Sequence, residues 1–190
     1  MSSASENTAQ PSIGTAARTV DTSVDQNTGE PKRPAVVWAS AAAFFTGIAF
    51  VVAGLLWAFW RSVREFGDAA WLNGVVATEP GSLLRVLMVT ALFVVTLLIG
   101  AGAIIAGHYG WRGFGWARRA GLIATVVSLL ALLINWVAWI GIPLIALGAA
   151  LLWTPAARSF AERWHLRRHP AAPAVVRPDE VHYGPLPRYR

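Results

Sequence analysis

The groups in this chain whose type and spacing could do chemistry are four histidines, a set of hydroxyls inside apolar runs, and one asparagine. His165 and His169 stand four apart, which on a helix puts two imidazoles on one face, the arrangement of a metal-ligating pair. A helix carrying both would have to reach the residue before Pro170, a position biased away from helical geometry. Arg163, Arg167 and Arg168 surround the pair with positive charge and no carboxylate stands at a matching spacing, so the sequence predicts no metal site. His108 and His182 are isolated. No Ser/His/Asp set, phosphate-cradling glycine loop or zinc-protease motif is present. The absence of cysteine excludes disulfides, thiolate metal sites, Fe–S clusters and a cysteine nucleophile. The expectation is a protein that is not an enzyme and carries no cofactor.

The remaining polar residues, Ser40, Thr46, Thr90, Thr96, Thr125, Ser128 and Asn135, lie within long apolar runs. Hydroxyls there satisfy themselves on the preceding helical turn. A proton or ion pathway needs an ionisable group facing a protein interior, and these runs contain none. Small four-span drug exporters carry a Glu in their first span, whereas no carboxylate occurs here between Glu30 and Glu65.

The elements that hold these residues are membrane spans. Of the 190 residues, 55% are hydrophobic and 14% charged, and the apolar residues are concentrated in runs that would have no water-shielded place outside a bilayer. The fold class is all-α, an integral membrane four-helix bundle. The first span is 35–60 and the second 86–107, with Glu79-Pro80-Gly81-Ser82 as the turn and N-cap before it. Residues 120–153 form 34 consecutive uncharged positions, too many for one perpendicular helix. Asn135, Gly141 and Pro143 near their centre place a hairpin there, giving spans 120–136 and 137–153.

Charge sets the orientation. Lys32, Arg33, Arg112, Arg118, Arg119, Arg158, Arg163, Arg167 and Arg168 fall on one side of this layout, against Arg61, Arg64 and Arg85 on the other. The positive-inside rule then puts both termini in the cytoplasm of a cell carrying the protein in its cytoplasmic membrane. The basic excess of +6 is thus a topology and headgroup signal, and nucleic acid is not an expected partner.

Residues 1–34, rich in Ser, Thr, Asn and Gln and without an aromatic residue, read as a disordered cytoplasmic tail. After the last span, Thr154-Pro155 reads as an N-cap and first-turn proline. Segment 154–169 reads as an amphipathic juxtamembrane helix that puts Phe160 and Trp164 in lipid and Arg163 and Arg167 at anionic headgroups. Residues 170–190, with five prolines, read as an extended tail. The loop from His108 to Arg119 adds Trp111, Arg112, Trp116, Arg118 and Arg119 as headgroup anchors.

In that loop the segment Gly113-Phe114-Gly115-Trp116-Ala117-Arg118-Arg119 resembles the Gly-x-x-Trp-Ala-Arg-Arg stretch before the third span of small four-span membrane proteins of high-GC Gram-positive (actinobacterial) bacteria. The resemblance covers the membrane part and implies architecture, not activity.

Small residues recur at helical spacing in the first span, Ala39, Ala43 and Gly47. Such a stripe lets helix backbones approach closely, and it is the expected packing surface for a membrane-protein partner or a second copy of the chain. The function expected from these observations is an accessory, assembly or scaffold membrane protein acting through helix contacts. The alternative is a small transporter or channel subunit for a neutral or apolar solute.

Overall fold

The computed structural model describes residues 24, 25 and 29–170, in two units divided after Lys32. In the first unit Val24 and Pro31 form an isolated antiparallel bridge. It is closed by Gly29 N–H to Asp25 O at 2.7 Å and Asp25 N–H to Glu30 O at 2.8 Å. Gly29, at φ 64°, takes the left-handed conformation that lets a chain reverse locally. The expectations for 1–23 and for the prolines beyond Pro170 lie outside the described residues.

The second unit is helical: α1 (Ala35–Ser62), α2 (Phe66–Ala69), α3 (Trp71–Val75), α4 (Leu83–Trp111), α5 (Ala117–Ser128), a 3₁₀ turn (Leu129–Leu133), α6 (Trp136–Trp139), α7 (Gly141–Leu151) and α8 (Pro155–Arg168). Three helix starts are set by local chemistry. Ser82 and Thr154 accept from the backbone N–H groups of Arg85 and Ala157, and Asn135 accepts from Ala138 N–H at 3.2 Å, each satisfying a donor that the first turn leaves unpaired.

Two helices, α1 with 28 residues and α4 with 29, are long and apolar enough to cross a membrane. A third crossing is counted if Trp136–Leu151 and Pro155–Arg168, bent by 60°, form one span. The four crossings expected from the sequence are therefore not all present as continuous helices. In residues 117–151 the helix is interrupted: α5 passes into 3₁₀ geometry at Leu129, a form that is used only in short pieces. The chain then reverses at Ile134 and Asn135, so neither arm holds a long α-helix.

The long elements pack antiparallel. Along α1 and α7, Ser40 meets Gly148, Gly47 meets Ile145 and Gly141, and Gly54 meets Ala138. Along α1 and α4, Phe44 meets Gly107 and Trp38 meets Trp111. Gly102 of α4 faces Ala124 of α5, and Gly121 of α5 faces Ala149 of α7. At each of these crossings except the Trp38–Trp111 contact at the helix ends, at least one partner is small, and Phe44 fills space that glycines leave. Phe44, Ile99 and Ile145 are fully buried at the centre, while Leu56, Phe59, Leu97, Leu98 and Ile123 point outward. Large side chains outside and small ones inside is the pattern of helices packed in lipid, where close backbone approach replaces the hydrophobic effect between helices.

Candidate functional site

The N-terminal end of α1, the C-terminal end of α4, the N-terminal end of α5 and the whole of α8 converge at one end of the helices. Their termini there carry arginine and aromatic side chains together, and this collar is the candidate site. The Trp38 and Trp111 rings meet edge to face at 4.0 Å, with the Arg33 guanidinium 5.1 Å from the Trp111 ring. Tyr109 contacts Phe114 at 5.2 Å and Trp116 at 4.6 Å. Arg118 donates from Nε to Gly115 O at 3.3 Å and lies 5.6 Å from the Trp153 ring, which Arg158 approaches to 5.5 Å. Arginine over an aromatic face is held by the ring quadrupole.

Each anchor expected from the sequence has a definite place. Trp116, Arg112, Arg119 and Arg167 are exposed, and Trp111, Arg118, Arg163 and Trp164 are half-buried. Phe160 is 1% exposed and packs with Val37 and Ala157 beneath Trp111 and Trp164. The apolar face of α8 is thus turned onto the ends of α1 and α4 of the same chain.

Arg168, which the sequence reading left out of the anchors, locks that seat. It donates from Nη1 to Gly113 O at 3.4 Å and from Nη2 to Arg112 O, and its guanidinium lies 3.9 Å from the Phe114 ring and 4.9 Å from that of Trp164. Gly113, at φ 69° and with the Trp164 ring 2.5 Å from where a Cβ would stand, is the one residue type that fits the turn. The signal for Arg168 was legible: Phe160, Trp164 and Arg168 recur every fourth residue and share one helical face.

The small-residue stripe also has a use within the chain. Ala43 and Gly47 are buried, and a Cβ on Gly47 would stand 2.7 Å from Ile145 Cγ1 and 3.1 Å from Gly141 O. Helix α7 therefore fills the groove expected to receive a partner, and only Ala39 remains exposed. The polar residues of the spans are used in the same inward way. Ser40 Oγ donates to Gly148 O at 2.8 Å, Thr96 Oγ1 to Leu92 O at 3.0 Å, and Asn135 Nδ2 to Gly54 O at 2.8 Å. His165 and His169 lie with ring centroids 4.8 Å apart, and among the described residues no third His or carboxylate joins them to hold a metal.

Comparison with protein-family models, with characterised proteins and with solved structures returns no match. The two features that stand out are a cationic, aromatic end and an interior occupied by the chain's own side chains.

Proposed function

We propose that this chain is a non-enzymatic accessory or scaffold protein of a cytoplasmic membrane, acting through contact with another membrane protein. The observation that carries this is the filled interior: Phe44, Ile145 and the glycines of α1 and α7 meet at van der Waals distance, and Ser40 and Asn135 are bonded to backbone carbonyls across the interface. A solute path needs polar groups that face open space, and these face each other. Contact with a partner then falls to the outward faces of α1 and α4, where large apolar side chains are exposed.

Within this reading the chain crosses four times. α5 with its 3₁₀ turn spans about 28 Å and residues 136–151 about 24 Å at ordinary helical rises, close to the thickness of a thin hydrocarbon core. Both termini are cytoplasmic, since the arginine-rich collar collects eight arginines at one end and leaves Arg61, Arg64 and Arg85 at the other. The architecture is the one implied by the likeness of Gly113 to Arg119 to small actinobacterial membrane proteins.

Topology is checked by reporter fusions. Fusions after Asn73 and near Ala138 are expected to report the extracytoplasmic side, and fusions after Gly113 and at the C-terminus the cytoplasm. A cytoplasmic reporter at Ala138 with an external C-terminus would reject the fourth crossing. Function is checked by purification in mild detergent with mass spectrometry, which is expected to recover a stoichiometric membrane partner. The reading fails if none is recovered and the purified protein alone carries a neutral solute into liposomes, the behaviour of a transporter.

A further inference from the structure

At the end away from the collar, α1 and α4 line a groove of about 440 Å³, within the size range of small-ligand sites. Its walls change character with depth. Toward the middle of the helices it is lined by Leu55, Leu56 and Phe93, and one to two turns nearer their ends by Phe59, Val89 and Ser62. At the mouth a second hollow of about 320 Å³ shares Ser62, Val89 and Thr90 and adds Phe66 and Arg85. From Ser62 to Leu55, or from Arg85 to Phe93, the helical rise amounts to roughly 10–12 Å. The groove therefore runs from the level where both helices leave the hydrocarbon down into the apolar layer.

Two polar groups along it are left incomplete. Asn73, held beside the groove by α3, is 4% exposed, and its Oδ1 has no donor among the described residues. Arg85 lies with its guanidinium 3.8 Å from the Phe66 ring centroid, and its Nε is buried without an acceptor. The neighbouring Arg61 is already paired with Glu65 at 3.3 Å and the Arg64 guanidinium lies 5.6 Å from the Trp60 ring, whereas Arg85 lines the mouth itself. An unpaired buried polar atom is costly, so a side chain of each kind at one apolar groove is the mark of a ligand that supplies what both lack.

We infer that this groove binds one anionic phospholipid with a hydroxyl-bearing headgroup, of the phosphatidylglycerol type. One acyl chain lies between α1 and α4, the phosphate pairs with Arg85, and a headgroup hydroxyl donates to Asn73. Charge complementarity selects the phosphate, because a guanidinium meets phosphate oxygens with parallel, charge-assisted hydrogen bonds. The depth order of the lining selects an amphiphile held upright in the bilayer. The inference rests on α1 and α4 spanning a membrane and is independent of whether the chain serves as a scaffold.

The full chain, purified in a neutral detergent and mixed with either phosphatidylglycerol or phosphatidylcholine, is assayed by native mass spectrometry for retained lipid. The wild type is expected to keep one phosphatidylglycerol at least about tenfold more tightly than phosphatidylcholine. Arg85→Gln is expected to abolish that preference and Asn73→Leu to weaken it severalfold. Val89→Trp, on the exposed wall of the groove, is expected to block retention of either lipid. Arg118→Gln with Arg119→Gln, at the far collar, serves as the control for general attraction of anionic lipid and is expected to leave the retained copy in place. The inference is overturned if Arg85→Gln retains phosphatidylglycerol like the wild type, if both lipids are held equally, or if the collar variant alone removes the lipid. Partner capture is scored separately, so failure here and failure of the scaffold reading remain distinct.

Discussion

Gly141→Ala is expected to destabilise the chain by about 3 kcal/mol, the upper part of the range for overpacking a core, read as an earlier midpoint when the protein is unfolded from mild detergent by a denaturing one. The added Cβ would stand 2.6 Å from Gly47 O and 2.6 Å from Val51 Cγ2. The first of these atoms is backbone and cannot rotate away, so α1 and α7 must separate. That separation also strains the hydrogen bond from Ser40 to Gly148 O seven residues further along α7. Gly100→Ala, on α4 where a Cβ meets nothing within 4 Å, is the matched control. It is expected to be neutral or to stabilise by about 0.5–1 kcal/mol through helix propensity. Equal losses for the two variants would show that α1 and α7 do not pack as described.

Asn135→Leu is expected to cost about 2–3 kcal/mol, because one side chain serves two elements. Its Oδ1 caps α6 by accepting from Ala138 N–H, and its Nδ2 donates to Gly54 O at 2.8 Å. Loss of the cap, which leaves Ala138 N–H without its acceptor, accounts for about 1 kcal/mol, and loss of the part-buried bond to Gly54 O for the rest. Asn135→Ser retains a capping oxygen but cannot reach α1, and is expected to fall midway. The same hairpin is held by Trp71 N–H to Ile134 O at 2.7 Å and by Trp139 Nε1 to Leu132 O at 3.2 Å. The Asn135→Leu protein is therefore expected to keep its hairpin while losing stability. Faster amide exchange confined to residues 134–141 is the measurement, and unchanged exchange there would contradict the double role of Asn135.

Some of this was legible in the residues alone. The helical class and the two long helices follow from uncharged runs of 26 and 22 residues, since only a continuous helix satisfies its backbone within hydrocarbon. The starts at Ser82 and Thr154 and the reversal at Asn135 were legible too, because a cap is a contact between neighbours in sequence and needs no distant partner. The sequence likewise sorts the arginines to opposite ends of the spans.

What only the tertiary structure decided is which face of each helix meets which neighbour. Ala39, Ala43 and Gly47 mark a surface of close approach, but alanine and glycine also line α4, α5 and α7, and apolar residues surround every span. Helix-wide hydrophobicity then carries little directional bias, and whether a groove receives α7 or another protein depends on contacts some hundred residues apart. That Phe160 packs on α1 was hidden for the same reason, since a seat made by Val37 and Trp111 exists only once α1 and α4 are side by side. The groove beside Asn73 and Arg85 belongs to this class as well: it is the space left between two helices and a connecting segment, and no residue in it is unusual until the others surround it.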